Sequence, residues 1–161
     1  MIKLTETDGG KVASGFPDEF NDCAVRALAL STKINYGDAH DMLRERGRRD
    51  RRGTRTAWLE SSLTSLASLG VKWNKMEEGR HLTLAQFIAS HRTGRYIVIT
   101  RSHGLALIDG VIHDSFSTGA RVRIRWAYQI ELPVPAAITQ NQVNSLWDRL
   151  NKLDWNVRGK V

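Results

Sequence analysis

Leu59, Leu63, Leu66 and Leu69 recur at helical spacing and predict a helix over about residues 56–69, stopped by Gly70. Two shorter helices are expected before it. One runs from about Asp22 to Ser31, behind the capping residues Asn21 and Asp22. The other begins near Gly37-Asp38, with Tyr36, Ala39 and Leu43 on one face. Residues 1–20 read as a strand and a turn, with Asp8-Gly9-Gly10 as the turn. Val71-Lys72-Trp73 is a short strand. Thr83-Leu84-Ala85-Gln86 is a capping box that opens a helix lined by Leu84, Phe87, Ile88 and His91.

From Gly94 onward the period changes from helical to extended. Tyr96 to Thr100, His103 to Ile108 and Val111 to Asp114 are apolar strands, and Asp109-Gly110 is a two-residue hairpin signal. Val122, Ile124 and Trp126 alternate with Arg121, Arg123 and Arg125, which predicts a further strand with one basic face. Thr139-Gln140-Asn141-Gln142 is a second capping box. It opens a last helix over about 139–153, with Val143, Leu146, Trp147, Leu150 and Leu153 as its apolar stripe. Helices, an antiparallel meander and a terminal helix together predict an α+β fold in a single domain over 1–161.

Composition narrows the class. At 41% hydrophobic and 25% charged residues, the 161-residue chain has ordinary globular usage. Its single cysteine excludes an internal disulfide and a cysteine-based zinc site, and fits a reducing compartment. The first residues lack the apolar core of a secretory signal, and no window approaches the about 18 apolar residues of a membrane span. A soluble protein is expected, cytoplasmic in a host cell or virion-associated, with no membrane partner.

The formal charge of +7 is concentrated. Between Arg44 and Arg55 there are seven arginines and two acids. This segment is either a solvated loop or an electrostatic contact, in which Arg48, Arg49, Arg51 and Arg52 would meet nucleic-acid phosphate or an acidic protein. Trp58 lies close by and offers a single stacking surface.

The candidate chemistry starts at Cys23. At the head of a helix, a thiol meets unpaired backbone N–H groups and the positive end of the helix dipole, which favour the thiolate. His103 heads one apolar strand and Asp114 ends the next. A thiol, a base and an orienting carboxylate form the working set of a thiol hydrolase. His113 competes with His103 as base, but strand alternation turns it away if Asp114 faces the thiol. His91 is expected to be partly buried on its helix face, and His40 and His81 to be solvated. His113-Asp114 and His40-Asp41 lack a third ligand at a recognised spacing, so no metal is expected, and no glycine loop suits a phosphate.

The stretches "NDCAVRALAL", "SHGLALIDG" and "IHDSF" resemble the papain-like cysteine peptidase superfamily. Its compact members are the nearest in kind: bacteriocin-processing peptidase domains and small phage- or prophage-encoded proteins with an Asp-Cys-x-x-Arg-Ala start. The resemblance covers about residues 8–127. It implies Cys23 as nucleophile, His103 as general base and acid, and Asp114 as the residue that orients the imidazole. Such enzymes often carry a glutamine six residues before the cysteine, where this chain has Pro17. Asn21, with the Cys23 backbone N–H, is then the candidate oxyanion donor. The implied activity is cysteine peptidase, isopeptidase or deamidase, without a cofactor, on a peptide or protein substrate for which an acidic segment is one option. The alternative is a non-enzymatic basic protein that binds nucleic acid weakly or an acidic host or virion partner.

Overall fold

A computed structural model describes residues 2–134 and 138–158, with side chains described as far as 150. In chain order the elements are β1 (Lys3–Glu6), α1 (Cys23–Thr32), α2 (Tyr36–Glu45), α3 (Thr56–Leu66), β2 (Lys72–Lys75), α4 (Leu84–Ser90), β3 (Arg95–Ile99), β4 (Gly104–Ile108), β5 (Val111–Asp114), β6 (Trp126–Glu131) and α5 (Gln140–Arg158). Short 3-10 turns at Ala67–Leu69 and Glu77–His81 complete the order. The described residues therefore make an α+β fold of five α-helices and a six-stranded sheet.

The strand order is β1-β5-β4-β3-β6-β2. Strands β3, β4 and β5 form the expected antiparallel meander. The whole sheet is mixed, however, because β1 pairs in parallel with β5, placing Glu6 beside Asp114. A parallel neighbour requires a long crossover, and here the helices and strands between residues 6 and 111 supply it.

Helices cover both faces, which explains the continuous apolar runs of β3 and β4. On one side Ile97, Tyr128 and Ile130 pack against Leu28, Leu43, Leu59 and Leu63 from the first three helices, with Val143 and Leu146 of α5. On the other, Tyr96, Val98, Leu105, Leu107 and Ile112 pack against Leu84 and Phe87 of α4. Helix α1 lies along β4 and reaches β3 and β5, and this brings its first residue to the end of the sheet.

Turn chemistry fixes the meander. Asp109 and Gly110 both have positive φ, 48° and 75°, the backbone of a type I′ hairpin. Both capping boxes form: Thr83 and Gln86 exchange hydrogen bonds at the start of α4, and Thr139 and Gln142 at the start of α5.

Two expectations need correction. The strand predicted over 121–126 lies later, at Trp126–Glu131. Residues 121–125 keep the alternating exposure, but their backbone serves the loop over α4. Ile124 N–H donates to Leu82 O, and Val122 O accepts from Leu84 N–H. The helix predicted to 69 ends at Leu66 and tightens into a 3-10 turn before Gly70. The Leu153 position in the stripe of α5 lies outside the described side chains. Among the described residues no helix is long and apolar enough to cross a membrane.

Candidate active site

Cys23 is the first residue of α1. Asp22 holds the N-cap position, yet its side chain makes no capping hydrogen bond. Its carboxylate is drawn sideways instead. Oδ1 pairs with the Arg26 guanidinium one turn later, and Oδ2 accepts from the Tyr36 hydroxyl at 2.8 Å. The first N–H groups of the helix are thus left without a side-chain cap beside the thiol. Desolvation, and the hydrogen bond to Asp22, raise the Tyr36 hydroxyl far above its ordinary pKa, so it remains a donor.

His103 closes the hairpin between β3 and β4. Thr100 N–H donates to His103 O at 2.8 Å across the Arg101-Ser102 turn, which fixes the imidazole at the base of the loop. Gly104 follows, and the α1 backbone passes close to it. A Cβ there would stand 3.6 Å from the Ala24 backbone and 3.0 Å from Ile99 Cδ1. This close passage lets β4 bring His103 against Cys23. Asp114 ends β5, buried, and its Oδ2 accepts from His103 Nε2. The remaining ring nitrogen, Nδ1, is left to serve the thiol.

The charges are mutually consistent. Burial opposes ionisation of Cys23, but the His103 imidazole, the Gly104 N–H and the Arg26 charge outweigh it and hold the thiol below its ordinary pKa. Burial also opposes the charged imidazole of His103. Here the hydrogen bonds and charges of Asp114 and Cys23 prevail and raise it to about 9. Against its own desolvation, Asp114 is held low by His103, by the Ser115 N–H at 2.8 Å and by Arg26. All three shifts run in the direction of a thiolate–imidazolium pair backed by a carboxylate.

Arg26 is the member that sequence reasoning missed. It is buried and spans Asp22 on its own helix and Asp114 Oδ1 on β5, at 3.2 Å to the latter. Its spacing of four from Asp22 was visible, but a helical arginine ordinarily reads as a solvated side chain. The long-range partner, 88 residues away, has no local signature.

The other candidates fall into place around this centre. Strand alternation turns His113 to the face opposite Asp114, where burial and the Arg95 charge lower its pKa. His91 stacks on Phe87 at 4.0 Å and its Nδ1 meets the Phe87 carbonyl, and His81 is exposed. Asn21 adopts φ 53° and donates its side-chain amide to the Arg51 carbonyl at 3.2 Å. That contact ties the approach to Cys23 to the arginine segment.

The arginine segment departs from expectation at Arg48. Its guanidinium is buried, 1% exposed, and donates to Glu19 Oε1 at 2.6 Å, so it cannot contact an external partner. Arg49, Arg51 and Arg52 are exposed. His40, expected to be solvated, is 0% exposed and lies between Glu19 and Asp50 at 3.7 and 3.4 Å. Side-chain atoms of Glu19, His40 and Asp50 approach within 4.8 Å of one another, as metal ligands would. Glu19 Oε1 already receives Arg48 and the Arg51 N–H, so the protein itself supplies the positive charge there.

A groove of about 400 Å³ opens from Cys23 and His103 between Gly53–Thr56 on one side and Arg101 and Arg125 on the other, with Ile99 and Trp126 along it. A second depression leads from the same pair past Phe20, Asn21 and Phe116. Cys23 sits at the junction, next to helix N–H groups and the His103 imidazole. This arrangement can attack a carbonyl carbon and protonate the group that leaves. Compared with known proteins, the chain matches no family model, no curated protein and no solved structure.

Proposed function

We propose that this chain is a thiol hydrolase acting on an amide or acyl bond, and that its fold is papain-like. One observation carries the reading: Cys23, His103 and Asp114, drawn from the start of α1, the turn that leads into β4 and the end of β5, meet in order, with the thiol's pKa lowered and the imidazole's raised. The placement of the nucleophile at a helix start against antiparallel strands bearing the base and the acid supports the papain-like assignment.

In this reading the Cys23 thiolate attacks the carbonyl carbon, and the C=O π pair moves to oxygen. The Cys23 N–H at the uncapped helix end faces the developing oxyanion, and the helix dipole adds to it. Collapse of the adduct expels the amine, which takes its proton from the His103 imidazolium and leaves a thioester. Neutral His103 then removes a proton from water as it attacks the thioester. The second collapse releases the acid and restores the thiolate–imidazolium pair. Asp114 remains ionised and holds Nε2–H, presenting Nδ1 to the sulfur. Asn21 does not readily serve the oxyanion while its amide is committed to Arg51.

The test is the pH dependence of Cys23 alkylation by iodoacetamide. The inflection is expected well below the ordinary thiol value of about 8.5, and His103→Ala should return it there. A wild-type thiol that titrates as a free cysteine would reject the pairing.

A further inference from the structure

We propose that the groove selects a substrate with acidic residues on one flank of the reacting bond and an apolar side chain on the other. This rests on the hydrolase reading for the position of the bond, and on the two arms of the groove for the selectivity.

The first arm is basic. Arg55, Arg101 and Arg125 line it, all three are exposed, and among the described residues none pairs with a carboxylate. No acidic side chain among the described residues lines that arm. The charges converge from three segments: the end of the arginine loop, the β3–β4 turn and the entry to β6. Trp126 borders this arm, with Lys75 Nζ 3.7 Å and the Arg80 guanidinium 4.4 Å from a ring centroid, but those two cations are paired with Glu60 and Glu77 and add little free charge. A cleft walled by one sign of charge concentrates ligands of the opposite sign.

The second arm differs. Phe20 and Phe116 are 52% and 53% exposed, unusual for phenylalanine, and both line the depression beside His103. The Phe116 ring centroid lies 4.6 Å from that of His103. The only acids on this side, Glu19 and Asp22, are buried in pairs with Arg48 and Arg26.

A peptide suits these arms better than a nucleic acid. Free cations are denser in the first arm: the second offers Lys11, which donates to the Glu19 carbonyl, and Arg51, whose guanidinium lies 5.8 Å from the Phe20 ring centroid. The Trp126 ring in the basic arm already carries two cations. Carboxylates spaced along an extended chain can reach the three arginines while an apolar residue rests between the phenylalanines.

The test uses the full chain carrying Cys23→Ala and fluorescein-labelled peptides read by anisotropy. One peptide joins a glutamate run to leucine. A second replaces glutamate by glutamine, and a third replaces leucine by serine. Each exposed charge pair contributes on the order of a two- to fivefold factor, so the glutamate–leucine peptide should bind about tenfold tighter than its glutamine counterpart at low ionic strength. The difference should vanish at about 1 M salt, where the screening length is ~3 Å. Arg55→Gln with Arg125→Gln should collapse the ratio, and the same pair changed to lysine should restore most of it. Phe116→Ser should erase the preference for leucine over serine.

Equal affinity for the glutamate and glutamine peptides would overturn the proposal. So would tighter binding of a single-stranded oligonucleotide through the same arginines. Wild-type alkylation separates the two readings. An inert thiol together with charge-selective binding removes the hydrolase and keeps the groove, whereas a reactive thiol with indifferent binding does the reverse.

Discussion

Asp114 sets the protonation state of the site from a buried position. Its carboxylate outweighs the desolvation of His103 and, with the thiolate, carries the imidazole to about 9. A raised histidine pKa stabilises the folded protein fully below the unfolded value of about 6.5, and that contribution is lost as pH rises through the folded value. On the proposed hydrolase reading, catalysis has the same upper boundary, because the imidazolium would protonate the leaving group. We predict that hydrolysis declines above a pH of about 9 in the wild type. Asp114→Asn should move that limb to lower pH and lower the rate, since the ring then loses the carboxylate that raises its pKa and orients it. A pH–rate profile, or the titration of the His103 ring protons by NMR, reads the shift. An unmoved alkaline limb would remove Asp114 from the mechanism. The positions of Cys23, His103 and Asp114 were legible in the chain because each sits at the start or end of a strongly patterned element. Arg26 was hidden because its meaning depends on a partner from another layer of the fold.

Elements with strong local chemistry were legible, and those defined by long-range pairing were not. The β4–β5 hairpin follows from Asp109-Gly110, and α4 from Thr83 and Gln86, because turn geometry and capping act within a few residues. The predicted strand at 121–126 has the right alternation, but the pattern records exposure and not pairing. The loop over α4 exposes alternate residues just as an edge strand does. The parallel addition of β1 had no local signal at all, since it depends on the path of the intervening chain. The hairpin offers a direct check. Gly110→Ala would place a Cβ 3.1 Å from the Arg92 carbonyl oxygen at φ +75°. The expected loss is about 1–2 kcal/mol, read as a lower midpoint in urea unfolding. A variant as stable as the wild type would mean that this turn relaxes without cost.

At the scale of the molecule, the basic charge divides into inward and outward parts. Arg26 and Arg48 face inward, each buried against carboxylates, whereas Arg49, Arg51, Arg52 and the groove arginines face solvent. The sequence could not show this division, because it displays seven arginines in twelve positions and no sign of the one that Glu19 withdraws.

The Glu19 anchor has a consequence for proteolysis. A stretch so rich in arginine looks like an ideal substrate for trypsin, yet cleavage requires a length of chain to peel away and extend through a protease cleft. Here that release would have to break the buried Arg48 pair, the Arg51 N–H contact to Glu19 and the Asn21 brace together. Opening would leave the buried Glu19 carboxylate without either of these donors, so it should be rare. Native digestion is therefore expected to leave the 44–55 segment intact long after denatured chains are consumed. Glu19→Ala should turn it into the first site of attack, seen as paired fragments on a gel or by mass spectrometry. Rapid nicking of the wild type between Arg48 and Arg52 would show that the anchor does not hold. If it does hold, the segment is armoured by its own charge, and the trypsin-sensitive bonds of the folded protein lie elsewhere.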